Sequence, residues 1–266
     1  MRTFFSTWYA PANATLAIVG DFEPARAKAL IEKYFGPLRG GAKPPAPRVE
    51  TVKLAKEVVI RHDEEVAALP AVFLTWLTPA VLQPGDAEAD LLATALATGK
   101  ASRLHRRLVH EKQLAQSVTA GQQSLGHQSA FQIEAVARPG VSTETLRKEI
   151  DAVLDEVRQK GLTPAELARA KNRYDTQTVS GLQRVGGFGG KADVLQYYNH
   201  YASDPGYLPK DLARYAQVTP ESVKRFVTDH LRSDARVVVH AVPPQAKAQA
   251  AGPAAPAAPA AKKEAR

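Results

Sequence analysis

The sequence contains no cysteine, and this absence excludes several kinds of chemistry. Disulfides, thiolate nucleophiles and cysteine-ligated zinc or iron–sulfur centres all need that side chain, so this chain supplies none of them. No segment approaches the roughly 20 consecutive apolar residues that span a bilayer, so we expect no membrane span. The start of the chain also lacks the apolar run of a secretory signal. If the protein is exported, we expect its signal to lie outside this sequence.

Acidic residues are fewer than basic ones. The 266 residues include 27 Asp and Glu against 35 Lys and Arg, which gives a formal net charge of +8. A basic balance can indicate nucleic acid, an anionic membrane or an acidic peptide as the partner. The cations are scattered through predicted helices and lack interleaved aromatic residues, so we expect no nucleic-acid partner. A basic module that binds polyanions stays open as an alternative of a different class.

Hydrophobic residues make up 44% of the chain, and their periodicity predicts an α+β fold over residues 51–243. The predicted strands are 51–60, 71–77, 116–121, 129–137 and 236–242. The predicted helices are 86–97, a basic helix from Ser102, 142–160, 163–179, a tyrosine-rich helix after Gly190, and 219–231. Strand pairs separated by runs of helices predict an antiparallel sheet with helices packed on one face.

The chain divides into four parts on composition. Residues 1–39 hold one helix end, one predicted strand at 14–19 and one helix, whose predicted buried stripe is Ala27, Leu30, Ile31, Tyr34 and Phe35. These elements are too few to bury a core, so we interpret them as the tail of a truncated first domain. Residues 40–50 contain two glycines and three prolines and form the predicted linker. Residues 51–243 form the second domain. Residues 244–266 are rich in Ala and Pro and predict a disordered tail.

Five stretches together resemble the pitrilysin/insulinase family of zinc peptidases, which includes the mitochondrial processing peptidases. Three of them carry the resemblance: FFSTWYAPANATLAIVGDFEP at 4–24, LPAVFLTWLTPA at 69–80 and TGKASRLHRRLVHEKQLAQSV at 98–118. Two others agree with it: GGFGGKAD at 186–193 and LARYAQVTPESVKRF at 212–226. The resemblance implies the end of a first, zinc-bearing domain followed by a complete second domain of the processing-peptidase type.

The family's chemistry needs an H-x-x-E-H motif on a helix, in which two His hold zinc and the Glu activates water. The sequence has no such motif: neither His62 nor His110 is followed by a second His at the required spacing. His105 and His110 are five residues apart and would point about 140° away from each other on an α-helix. We therefore predict no metal ligand in this chain. The resemblance implies that zinc belongs to the missing first domain or to a partner.

Active family members also use an Arg and a Tyr, seven residues apart, to grip the substrate near the scissile bond. Aligned without a gap, the Arg position here is Val109 and the Tyr position is Gln116. The amide of Gln116 can still donate a hydrogen bond. Arg106, one turn before Val109, is the candidate substitute for the lost guanidinium. Arg106 and Gln116 are accordingly the predicted substrate-binding residues, and no catalytic residue is predicted.

The glycine-rich stretch 186–190 is open to two interpretations. A phosphate loop would need a strand leading into it and a Ser or Thr after Lys191, and neither is present. A flexible hinge, or a loop that lines the substrate chamber, agrees better with residues that lack Cβ atoms.

The resemblance implies a second, non-zinc domain of a metallopeptidase that helps to enclose and bind peptide or unfolded protein without catalysing alone. One alternative is a non-catalytic subunit that pairs with an active zinc peptidase. Whether the complete protein is an enzyme stays open at this point. Similarity to bacterial family members implies a periplasmic location.

Overall fold

The structure is a computed structural model that describes residues 1–46 and 48–244. Its strands are β1 (Val58–Asp63), β2 (Ala71–Thr78), β3 (Ala115–Gln123), β4 (Ser129–Ala137) and β5 (Val237–Val242). Its α-helices are α1 (Arg2–Trp8), α2 (Pro24–Phe35), α3 (Asp86–Ala97), α4 (Thr143–Lys160), α5 (Pro164–Gly181), α6 (Lys191–Ala202), α7 (Leu208–Gln217) and α8 (Pro220–His230). A π-helix spans His105–Glu111, and a single 3₁₀ turn spans Pro11–Asn13.

The strands form one sheet in the order β1-β5-β2-β4-β3. The pairings β5–β2, β2–β4 and β4–β3 are antiparallel, which confirms the predicted sheet. The pairing of β1 with β5 is parallel, and β5, the last of the described strands, lies between the first two. The fold is therefore an α+β domain with a mostly antiparallel sheet.

One face of the sheet carries the core. Side chains of β2 alternate between buried and partly exposed, as the period of two requires, and Val72, Leu74 and Trp76 face inward with no exposed surface. The Trp76 ring lies 6.3 Å from that of Phe131, and its Nε1 donates to the Arg232 carbonyl at 2.8 Å. Helices α3, α4 and α8 pack on this face, as predicted. Each fully buried large apolar side chain contributes about 2 kcal/mol.

The helices that cover the sheet follow their sequence signals closely. Helix α4 buries one apolar stripe, and the Ser142 hydroxyl accepts the backbone N–H of Thr145 at its start. Helix α5 begins with a capping box, in which the Glu166 carboxylate accepts the backbone N–H of Thr163 and the Thr163 hydroxyl accepts that of Glu166. The α4 stripe comprises Leu146, Ile150, Val153, Leu154 and Val157.

The expectation for the first 39 residues was partly wrong. The apolar run 14–19 was expected to be a strand, but it joins the 3₁₀ turn to α2 and belongs to no strand of the described sheet. An apolar extended segment needs a neighbouring strand, and the described chain places none beside it. Helix α2 forms as expected, but none of its side chains is buried. Leu30, Tyr34 and Phe35 of the predicted inward stripe are all exposed.

Three further differences concern the main domain. Strand β1 begins at Val58 rather than at residue 51, and an unpredicted helix, α7, precedes α8. Part of the predicted basic helix adopts π-helical hydrogen bonding. The Ala- and Pro-rich tail predicted for 244–266 lies, from residue 245 onward, outside the described residues.

Candidate functional site

The π-helix places two histidines on the same side of the chain. The backbone N–H of Lys112 donates to the carbonyl of Arg107, five residues earlier, at 3.0 Å. This spacing brings residues five apart together, and the ring centroids of His105 and His110 lie 4.9 Å from each other. The prediction that these side chains diverge by about 140° was wrong, because it assumed α-helical geometry. Single π-helical turns are frequent at functional sites.

The histidine pair does not make a catalytic zinc centre. Such a centre needs three protein ligands and an open position. Within residues 1–46 and 48–244, no three His, Cys, Asp or Glu side chains come together in a way that could hold a metal ion. The zinc of the family's chemistry therefore does not fit any group of described residues, and no reaction step is assigned to this chain.

The two predicted substrate-binding residues occupy neighbouring elements. Arg106 projects from the π-helix with its side chain 60% exposed, and its Nε lies 3.4 Å from Oε1 of the equally exposed Glu111. Gln116 is exposed on β3 and lies in a β-bulge, between the pairs that Ala115 and Ser117 make with β4. A bulge re-aims side chains and is common beside functional sites. Among the described contacts, none joins Arg106 to Gln116 directly.

Val109, at the position of the family's Arg, packs partly buried against the core. The same π-helix is anchored by Leu104 and Leu108, which have no exposed surface. The backbone N–H of Leu114 donates to the Leu108 carbonyl at 2.8 Å, and the Arg138 N–H donates to the Leu114 carbonyl at 2.9 Å. The π-helix and the start of β3 are therefore held together.

A cleft of about 600 Å³ lies beside the π-helix, bounded by the end of α4 and the start of α5. Arg103 donates to both carboxylate oxygens of Glu166, at 2.7 and 2.6 Å, and also to the Gly161 carbonyl. Burial alone would raise the pKa of Glu166, but the hydrogen bonds from Arg103 and the Thr163 N–H lower that pKa to about 2. This ion pair is present at any physiological pH and fixes the π-helix to α5.

Arg107, on the π-helix itself, is held in a similar way by carboxylates of α4. It donates to Glu149 at 2.8 Å and to Glu156 at 2.6 Å. The hydrogen bond to Glu149 raises the pKa of Arg107, with burial opposing that effect and Glu156 adding to it. Arg103 and Arg107 thus stabilise the walls of the cleft.

A second polar region lies between α3, α5, α6 and α7, around a cavity of about 530 Å³. Asp211 accepts hydrogen bonds from the hydroxyl of Tyr198 at 2.7 Å and from Arg214 at 2.7 and 2.9 Å. Asp90 accepts a hydrogen bond from the Tyr215 hydroxyl at 2.6 Å. Burial raises the pKa of Asp90 to about 7; the hydrogen bond from Tyr215 opposes this shift, and the charge of the nearby Asp86 adds to it. We call these residues the carboxylate–tyrosine cluster.

The glycine-rich stretch 186–190 connects α5 to α6 at the rim of this cavity, which confirms the predicted break. Gly187 and Gly189 have positive φ angles of 77° and 72°. A Cβ on Gly190 would lie 2.4 Å from the Gly186 carbonyl oxygen, so the turn requires glycine there. Its proposed roles as a hinge or as a chamber lining stay predictions.

Sequence reasoning missed two sets of residues. Lys160 and Arg169 line the cleft beside the π-helix, although they lie outside the stretch that carries the family pattern. The carboxylate–tyrosine cluster was also missed. The available signals were the cations Arg169 and Arg173, four apart on α5, and the aspartates Asp86 and Asp90, four apart on α3.

Residues 1–174 match the family described as Peptidase M16 inactive domain. The chain belongs to this M16 peptidase family. The match confirms the resemblance to the pitrilysin/insulinase zinc peptidases and identifies an inactive domain, the non-catalytic half of M16 proteases.

Individual M16 relatives support the same assignment. The chain is 30% identical over 187 residues to the zinc protease PqqE of Helicobacter pylori, an alignment that covers 69% of this chain and 42% of that protein. The chain therefore spans less than half the length of this relative. No helix of the described M16 chain has the length and hydropathy needed to cross a membrane.

Solved structures share the fold. A protease from Helicobacter pylori superposes with a TM-score of 0.81 at 24% identity, covering 91% of this chain and 58% of that one. The first half of the periplasmic protease PqqL from Escherichia coli superposes with a TM-score of 0.73 at 17% identity, covering 93% and 55%. In both cases the M16 chain corresponds to part of a longer protein.

Proposed function

We propose that this chain is the second, non-zinc domain of an M16 zinc peptidase and helps to enclose and bind an extended peptide. The observation that carries the proposal is the uncovered face of the sheet together with the edge strand β3, which pairs only with β4 among the described strands. An edge strand offers backbone donors and acceptors to an added strand.

The uncovered face has the chemistry of a peptide-binding surface. It combines the partly exposed Phe73 and Thr75 of β2 with the exposed Thr119 of β3 and Gln132 of β4. A shallow depression of about 440 Å³ lies there, lined by residues of β2, β3 and β4. Apolar and hydrogen-bonding side chains on one surface can hold an extended peptide without strong preference for its sequence.

Gln116 lies at the start of β3, and Arg106 lies on the π-helix that leads into this strand. The guanidinium of Arg106 and the amide of Gln116 can both donate to peptide carbonyl groups. Zinc and the water-activating Glu would come from a first domain or from a partner. In this arrangement the chain binds and orients the peptide, and the other half cleaves it.

Hydrogen exchange of the intact chain tests edge pairing directly. On addition of an unstructured peptide, the amides of Ala115–Gln123 should gain protection, because an added strand would accept their outward hydrogen bonds. The opposite edge, Val58–Asp63, serves as the internal control and should not change. Unchanged exchange in β3 at a peptide concentration that saturates binding would contradict the proposal.

The isolated chain is predicted to bind no stoichiometric zinc and to cleave no peptide. We also expect Val109→Arg combined with Gln116→Tyr to create no activity, because the family's metal and water-activating Glu are not part of this chain. Elemental analysis and a fluorogenic peptide assay check both statements. Metal-dependent cleavage by the double variant would overturn them.

A second candidate is a separate non-catalytic subunit that pairs with an active zinc peptidase. It is favoured by residues 1–39, which have no buried side chain but expose large apolar ones, as an uncovered contact surface would. The exposed set includes Phe4, Phe5, Tyr9, Leu16 and Tyr34. The intact mass of the endogenous protein separates the candidates: about 28.7 kDa favours the subunit, and a larger mass favours one chain with both halves.

We propose a periplasmic location, supported by the similarity to PqqL, a periplasmic protease of Escherichia coli. Fractionation of the native cells with an antibody against this chain tests it. Recovery in the cytoplasmic fraction alone would contradict the proposal.

A further inference from the structure

We propose that the cleft beside the π-helix binds carboxylate groups of the peptide, so that this half of the peptidase favours acidic peptide segments. The inference rests on the proposed function, because its ligand is the peptide that this half is proposed to hold. It adds that the peptide is acidic and names the residues that bind its carboxylates.

The cleft adjoins a second depression that is also lined by residues of α5. The two share Ala101, Glu166 and Arg169 in their walls, and the second has a volume of about 380 Å³. We call the two adjoining depressions together the groove along α5. Its charged lining comprises the cations Lys100, Arg103, Arg106, Arg107, Lys160, Arg169 and Arg173 and the carboxylates Glu111, Glu156 and Glu166.

The carboxylates of the groove already have arginine partners within the chain. Glu166 is bonded in bidentate fashion to Arg103, and Glu156 is bonded to Arg107. Glu111 has only its 3.4 Å contact with Arg106, and both side chains are well exposed to solvent. The internal ion pairs therefore shape the groove without neutralising its remaining cations.

The charged side-chain groups of four cations of the groove make no hydrogen bond or ion pair with any residue in the described part of the chain. They are Lys100, Lys160, Arg169 and Arg173. Arg169 and Arg173 are four residues apart on α5, where like charges repel each other and slightly destabilise the helix. Concave, like-charged surfaces concentrate ligands of the opposite charge. Unpaired cations in a groove therefore indicate an anionic ligand.

The groove fits spaced carboxylates better than a nucleic-acid backbone. Three carboxylates stand among its cations, and they would repel a continuous chain of phosphates. No aromatic side chain lines either depression, so no stacking surface for bases is available. A peptide presents its carboxylates at intervals, with uncharged backbone between them, which matches a groove whose cations are separated by internal ion pairs.

The position of the groove links it to the proposed peptide path. Its wall is the same π-helix that carries Arg106 and continues into β3 through Lys112, Gln113 and Leu114. A peptide lying along the edge of β3 can therefore place an acidic side chain beside Arg106 and further acidic residues along α5. The planar guanidinium of Arg suits bidentate contacts with such carboxylates.

The test compares two labelled peptides by fluorescence anisotropy on the full chain. One is a short, unstructured, glutamate-rich peptide, and the other has every glutamate replaced by glutamine. We expect the acidic peptide to bind at least about fivefold more tightly at low ionic strength, with the difference shrinking as salt is added. Equal affinities would overturn the inference and leave the proposed function standing, whereas failure of both peptides to bind would overturn both.

Substitutions in the groove locate the binding. Lys160→Gln with Arg169→Gln should weaken binding of the acidic peptide by about threefold to fivefold and leave binding of the glutamine peptide unchanged. The matched control is Lys148→Gln with Arg225→Gln, which removes two exposed cations of α4 and α8 that line neither depression. An equal loss in both double variants would mean a general charge effect and would overturn the assignment to the groove.

A single-stranded oligonucleotide of the same charge as the acidic peptide tests whether the groove binds polyanions in general. Weak binding that is insensitive to Lys160→Gln with Arg169→Gln supports the inference. Tighter binding than the acidic peptide, lost in the same double variant, would identify a polyanion site and overturn the inference.

Discussion

The carboxylate–tyrosine cluster and the groove along α5 contain the same charged groups in opposite arrangements. In the cluster, Arg214 is largely buried and bonded to Asp211, with Asp86 at 3.3 Å. In the groove, Arg169 is exposed and has no described partner. A buried charge must be paired to be tolerated, whereas an exposed one need not be. The comparison therefore separates charges that stabilise this fold from charges that are available to a ligand.

The largest effect should come from breaking the cluster. Asp211→Ala removes the main acceptor of Arg214 and of the Tyr198 hydroxyl, which leaves a largely buried guanidinium with only its longer contact to Asp86 among the described residues. We expect the free energy of unfolding to fall by about 3–5 kcal/mol in urea denaturation. Asp175→Ala, which removes an exposed aspartate of α5, should change the free energy of unfolding by less than about 0.5 kcal/mol. Similar losses of unfolding free energy in the two variants would mean that the buried cluster stabilises the fold no more than an exposed aspartate does.

An intermediate effect with a defined pH dependence should come from Asp90. Its pKa is raised to about 7 in the folded state, so folding favours the protonated form. Wild-type stability should then fall as pH rises from about 4 to about 7 and stay level above that range. Asp90→Asn cannot ionise and keeps an acceptor for the Tyr215 hydroxyl. Asp90 is partly exposed to the cavity, which reduces the cost of its charge. We therefore expect the free energy of unfolding of Asp90→Asn to exceed that of wild type by on the order of 2 kcal/mol at pH above about 7.

Urea denaturation of both proteins at mildly acidic and mildly alkaline pH measures this gain. The two stabilities should converge below about pH 4, where the wild-type carboxyl is neutral in both folded and unfolded chains. A gain of the same size at every pH would mean that the carboxylate charge is not its cause.

The smallest effect on stability is expected in the groove. Lys160→Gln with Arg169→Gln removes no described hydrogen bond or ion pair, so the free energy of unfolding should stay within about 0.5 kcal/mol of wild type. Thermal and urea unfolding measure it. A loss of more than about 1 kcal/mol would place these cations with the structural charges of the cluster.

The periodic parts of the fold could be predicted from the sequence because each buries one face. The alternation in β2 and the stripe of α4 follow directly from that requirement. Helix α7 escaped prediction because its buried face is polar: Asp211 and Tyr215 point inward where an apolar stripe was sought. The run 14–19 has the composition of a strand, but composition does not supply the neighbouring strand that such a run needs.

The candidate site could be predicted only in part. Arg106, Val109 and Gln116 could be located because the spacing of the family's motif is retained here, although its Arg and Tyr are replaced. The contact between His105 and His110 depends on π-helical hydrogen bonds that residue types do not indicate. The groove forms where the π-helix meets α5 through the pair Arg103–Glu166, residues 63 positions apart in the chain, and no local pattern predicts such a meeting.

The place of β5 has a consequence for biosynthesis. Val237–Val242 pairs with β1 on one side and with β2 on the other. Until this strand is in place, Val58–Asp63 and one edge of Ala71–Thr78 lack their hydrogen-bonding partner. A ribosome must release almost the entire domain before these pairings can form. Until then the nascent chain exposes two incompletely paired apolar strands. We therefore expect this domain to fold slowly and to need chaperones.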